Sequence, residues 1–136
     1  MNGLVLDTSA LLAYASGTSI EPGALLTLAE EDPDQEIWIP VLCLLQAQLA
    51  LADTPAASMI DLLLTPERAV QVAVLDSPTS RRVAQIAATF GVTPDIAHAV
   101  ATAVLCRGYL VTAAPKIVVP AAPPSLEILD ISEHWD

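Results

Sequence analysis

Three apolar residues, Leu4, Val5 and Leu6, run straight into Asp7-Thr8-Ser9 and then into the helical pattern of Leu11, Leu12 and Tyr14. A short, continuous apolar run is what a strand buried on both faces shows. An acid immediately after such a strand sits where open α/β sheets place their ligand sites, at the carboxyl end of the strand. Asp7 and Thr8 are also good helix caps, because a side-chain oxygen satisfies the free N–H groups of a first turn. The tripeptide alone leaves both readings open.

The same alternation continues along the chain. Residues 24–31 read as a short helix. Glu30, Glu31, Asp32, Asp34 and Glu36 read as a solvated acidic loop around Pro33. Ile37-Trp38-Ile39 is strand-like and is stopped by Pro40, which suits the first position of an apolar helix over 41–52. Residues 56–64 read as another helix, 70–75 as a strand ending in Asp76-Ser77-Pro78, and 80–90 as a helix closed by Gly91. Thr93-Pro94-Asp95 carries three helix-start signals and opens a helix over 96–107 that ends at Gly108. Residues 109–112 form a fourth strand, expected beside the first. Residues 116–125 are a Pro-rich connector, 126–131 a last strand, and 132–136 a frayed tail. Strands alternating with helices at this spacing predict one α/β domain over 1–136, a mostly parallel sheet covered on both faces.

Composition narrows the class. Hydrophobic residues make up 54% and charged residues 15%, with a mean hydropathy of +0.57. Several helices are therefore expected to be buried all round or covered by a second subunit. The longest uncharged run, residues 37–52, contains Pro40, Gln46 and Gln48, so it reads as strand plus buried helix and not as a membrane span. No basic leader opens the chain, and Cys43 and Cys106 lie in apolar helical runs as small hydrophobes, so a cytoplasmic protein is expected. Sixteen acids against five bases give a net charge of −11. Affinity for nucleic acid rests on Lys and Arg contacts to phosphate, and only Arg81 and Arg82 adjoin, so the charge works against RNA binding.

Further positions join Asp7 as candidates. Asp95 opens an apolar helix, where it reads either as a ligand or as a charge favoured at a helix start. His98 and Thr102 follow it at helical spacing; a core histidine satisfied by a hydrogen bond is the plain alternative for His98. Gln46 lies mid-helix among apolar residues and needs a partner. Thr112-Ala113-Ala114 ends the fourth strand.

In this order the pieces resemble the PIN-domain family, whose best-populated branch is the VapC-type toxin ribonucleases. Its first strand ends in Asp-Thr/Ser, matched by Leu6-Asp7-Thr8-Ser9-Ala10-Leu11. A strand and Pro lead into a helix with an inward Glu, whose place here is taken by Gln46 after Ile39-Pro40-Val41. An Asp opens an apolar helix with a His, matched by Asp95-Ile96-Ala97-His98-Ala99. A strand ends in Leu-x-Thr-x-Asp, against Leu110-Val111-Thr112-Ala113-Ala114. The resemblance covers essentially the whole chain and implies a PIN-like three-layer α/β/α sandwich. It also implies that Asp7 and Asp95 would be metal ligands, with Gln46 and Thr112 beside them in the catalytic set, and that Mg²⁺ or Mn²⁺ would activate a water for attack on a phosphodiester.

The departures weigh against that activity. Gln carries no charge and Ala offers no oxygen, so the metal is expected to be absent or weakly held. Three readings follow: a PIN-like binding or scaffold protein with a degenerate site, a homodimer with an antitoxin-like protein partner; a Mg²⁺- or Mn²⁺-dependent ribonuclease toxin; or an unrelated α/β domain in which the two acids only cap helices.

Overall fold

The computed structural model describes residues 2–17, 23, 24, 27, 30–32, 34–66, 68 and 70–132. The opening run forms β1 (Asn2–Leu6), and Asp7 starts α1 (Thr8–Ser16). There follow β2 (Gln35–Pro40), α2 (Val41–Leu51), α3 (Ala57–Leu63) and β3 (Val70–Ala73). The second half holds α4 (Ser77–Phe90), α5 (Pro94–Cys106), β4 (Tyr109–Thr112), α6 (Pro115–Val118), a 3₁₀ turn (Val119–Ala121) and β5 (Glu127–Asp130). The helix expected over 24–31 lies partly outside the described residues, as does the tail beyond 132.

The five strands make one sheet in the order β3-β2-β1-β4-β5, with every neighbouring pair parallel. Leu4 pairs with Ile37 on one side and with Tyr109 on the other, so β1 is central and β4 lies beside it as expected. The chain builds outward from β1 through β2 to β3, then crosses back to β4. That reversal leaves a crevice at the carboxyl ends of β1 and β4, where such sheets hold ligands. Val5, Leu6, Ile37, Ile39, Leu110 and Val111 are all buried, as strands covered by helices on both faces require. Helix α5 is buried along eight successive residues from Ile96 to Ala103, and its small side chains let neighbouring elements approach closely.

Several local expectations change. Helix α4 starts at Ser77, earlier than expected, because Asp76 caps it: its Oδ1 accepts from the Thr79 N–H at 2.9 Å. Pro40 is the last residue of β2 and precedes the first turn of α2 instead of occupying it. Glu36 belongs to β2, not to a solvated loop, and accepts from the Trp38 indole N–H at 3.2 Å. The connector is partly helical at α6. Helix α5 closes on Arg107, at φ 53°, in place of Gly108. Gly108 instead permits a close approach. A Cβ there would collide with the Gly3 carbonyl, so the start of β4 reaches β1 only without a side chain.

Among the described residues, no single helix is long and apolar enough to cross a membrane.

Candidate functional site

Asp7 leaves β1 with an extended backbone (φ −81°, ψ −178°), and its N–H donates to the Val111 carbonyl of β4 at 3.2 Å. The junction is therefore anchored to both strands that flank the crevice. Its Oδ1 accepts from the Ala10 N–H at 2.9 Å and from the Ser9 hydroxyl at 2.6 Å. Asp7 thus caps α1, in line with the plainer reading of the tripeptide. Its other oxygen, Oδ2, is buried without a hydrogen-bond partner. The residue is 0% exposed. Burial pushes its carboxyl above the ordinary range; the Ser9 and Thr112 hydroxyls and the Ala10 N–H pull it back, and Asp95 adds a smaller upward push.

Asp95 stands in the first turn of α5, half-buried. Its Oδ2 accepts from the Thr8 hydroxyl at 2.6 Å and its Oδ1 from the Thr93 hydroxyl at 2.5 Å. Thr93 occupies the cap position but makes no capping bond; its hydroxyl serves the carboxylate instead. The Asp95 carbonyl accepts from the buried Cys43 thiol at 3.2 Å, which ties α2 to the start of α5. Burial pushes the Cys43 thiol up, so it stays protonated and inert.

The structure brings Asp7, Asp95, Thr8 and Thr112 to one sheet edge. Thr112 is fully buried; its hydroxyl meets the Ser9 hydroxyl at 3.1 Å and accepts from the Ala114 N–H at 3.0 Å. Gln46 is on the rim and not inward: its side chain is exposed, along a cleft of about 450 Å³ shared with Thr8, Leu45, Thr93 and Asp95. It is not a satisfied core amide, because α2 presents this side to solvent. Ala114 follows β4 where it contributes only backbone.

His98 is not part of this edge. Its Nδ1 accepts weakly from the Leu42 N–H at 3.5 Å, and burial holds its imidazole below the ordinary value, offset in part by the Val74 backbone. Thr102 donates to the His98 carbonyl at 2.8 Å. His98 is thus a core residue as in the plain reading, but not a fully satisfied one, because its Nε2 is buried without a hydrogen-bond partner.

Residue order does not single out Ser9, yet it links three pieces of the site. It donates to Asp7, meets Thr112, and accepts from the Ala113 N–H at 2.8 Å, joining the start of α1 to the end of β4. A hydroxyl two residues after an acid at a helix start is the available signal.

Hard cations are held mainly by ionised carboxylates. Two converge here. Among the described residues, no group of three or more His, Cys, Asp or Glu is arranged to hold a metal ion. The buried, unpartnered Asp7 Oδ2 beside Asp95 fits at most one weakly held cation completed by waters, and the set does not fit a pair of metals.

No protein-family profile matches the sequence, and no curated protein matches it. Solved structures do match the fold. The DNA-bound VapBC of Salmonella typhimurium superposes with a TM-score of 0.67 at 15% identity, over 96% of this chain and 98% of that one. VapBC2 of Rickettsia felis, bound to a DNA fragment from its promoter, gives 0.64 at 14% identity over 94% and 98%. A toxin–antitoxin complex from Klebsiella pneumoniae gives 0.64 at 18% identity over 92% and 99%.

Proposed function

We propose that this chain, which has the PIN-like fold of the VapBC proteins, is a binding or scaffold protein whose nuclease site has decayed. The observation that carries this reading is the donor set at the sheet edge. Asp7 is spent partly on capping α1, both oxygens of Asp95 hold hydroxyls, Gln46 is exposed and uncharged, and Ala114 has no oxygen to offer. Each missing carboxylate forgoes about 4 kcal/mol per unit of cation charge at roughly 4 Å and an effective dielectric near 20, before solvation offsets. A net charge of −11 with five bases supports the same reading, since it opposes a polyanionic substrate. The solved complexes with this fold pair such a chain with an antitoxin, which supports an antitoxin-like protein partner; we further take the chain to act as a homodimer in the cytoplasm.

A second reading rests on one atom. The unpartnered Asp7 Oδ2 is a buried acceptor that a cation would satisfy. In that case the protein is a Mg²⁺- or Mn²⁺-dependent ribonuclease toxin, in which Asp7 and Asp95 hold the ion and Gln46, on the rim, orients a water or the substrate. The metal would supply water activation and charge neutralisation at the phosphodiester. Thr112, already bonded on both sides, would position Ser9 and the β4 end. An unrelated domain is set aside at the level of fold.

Calorimetric titration of Mn²⁺ separates the two readings. The scaffold reading expects weak or no binding to the wild type and a clear gain in Gln46→Glu/Ala114→Asp. Tight wild-type binding that disappears in Asp7→Asn would establish the enzyme reading instead. RNA cleavage counts only where Asp7→Asn abolishes it.

A further inference from the structure

A second cleft, of about 400 Å³, opens between β2, the end of β3, the start of α4 and α5. Trp38, Val74 and Leu105 wall it, and Val74 and Leu105 are 67% and 78% exposed. Large apolar side chains left in water around a concavity mark a place that a ligand's apolar surface would cover. The Trp38 indole is held there by its N–H bond to Glu36 at 3.2 Å.

His98 lines the same cleft. Its Nδ1 faces the Leu42 N–H at 3.5 Å, away from the cleft, whose walls do not include Leu42. An Nδ1 that accepts puts the ring proton on Nε2. The residue is 0% exposed, and Nε2 has no hydrogen-bond partner. The Val74 backbone, just past the last residue of β3, meets the ring from the cleft side. A buried N–H left unpaired is costly, so an acceptor entering beside Val74 makes a bond that the protein alone does not supply. Arg82 and Asp76 stand exposed on the rim. Among the described residues Arg82 makes no ion pair, which leaves its guanidinium available to a carboxylate. Asp76 on the same rim disfavours a second negative charge on the ligand.

We propose that this cleft binds a small planar heteroaromatic monocarboxylate. Its ring lies against Trp38 and Leu105, its ring acceptor takes the His98 Nε2–H, and its acid meets Arg82. The site shares no residue with the cleft beside Asp95, so it stands whether or not the sheet edge holds a metal.

Calorimetric titration of the full chain tests it with two probes. One is a quinoline carboxylate whose nitrogen and acid lie at opposite ends of the ring system; the other is the naphthalene carboxylate of the same shape. Saturable binding of the quinoline compound is expected. The naphthalene compound binds about tenfold more weakly, because it leaves the Nε2–H unpaired. Leu105→Glu sets a like charge against the acid and abolishes binding, and Arg82→Ala weakens it about tenfold. Both positions are exposed, and circular dichroism checks that each variant folds. A wild type that shows no saturable binding overturns the proposal. So does binding that Leu105→Glu leaves unchanged, which puts the compound elsewhere. Equal affinity for the two probes also overturns it, because His98 then takes no part. Mn²⁺ titration of the same preparations reads the sheet edge separately.

Discussion

Asp7 caps α1 through Oδ1 while Oδ2 lies buried without a donor, and the two oxygens pull its acidity in opposite directions. Burial is the larger effect and raises the folded-state value above the ordinary carboxylate value. The folded chain then takes up a proton more readily than the unfolded chain. Stability attributable to Asp7 is fully present below the ordinary carboxylate value, is lost as pH rises through the raised one, and stays lower beyond it. Asn keeps the cap and resembles the neutral acid. Asp7→Asn should therefore match the wild type in acid and become more stable than it toward neutral pH, which paired urea denaturation curves across pH would show. A wild type more stable than Asp7→Asn at neutral pH would mean that the charged form has a stabilising partner, such as a bound cation.

At the scale of elements, the approach of β4 to β1 is what assembles the site, because it brings the end of β4 to the Ser9 hydroxyl. That approach depends on Gly108, where a Cβ would meet backbone and not a movable side chain. Gly108→Ala is expected to cost about 3 kcal/mol, at the upper end of overpacking effects. Chemical denaturation measures it directly, and a loss well under about 1 kcal/mol would show that the two strands part easily.

Across the whole molecule, like-charge repulsion has few attractions to oppose it. Arg68–Glu30 is the one ion pair among the described residues, against a net charge of −11. Raising the salt from about 0.05 M to about 0.5 M shortens the Debye length from roughly 14 Å to roughly 4 Å and screens the repulsion. The melting temperature should rise by a few degrees, as differential scanning fluorimetry would read. A fall would point to attractive surface pairs that matter more than the repulsion.

Much of this protein is legible from residue order. Short apolar runs separated by helical periods are compatible with a parallel sheet and little else: the runs at 4–6, 37–39 and 109–112 fall on strands, and the run at 70–75 opens a strand that stops at Ala73. The two acids are legible because each stands directly after a strand or at a helix start, so local chain geometry sends both to the same sheet edge. Chain neighbours do not reveal what lies across space. Gln46 reads as buried in an apolar helix, but α2 has a solvent side and Gln46 is on it. Ser9 reads as one more helix-start hydroxyl until β4 arrives beside it. His98 shares a helical face with Asp95 yet packs into the core, with Nδ1 facing the Leu42 N–H and Nε2 buried without a partner. Local propensity and periodicity are properties of a few consecutive residues, whereas burial and hydrogen-bond partnership are decided only when separate elements pack together.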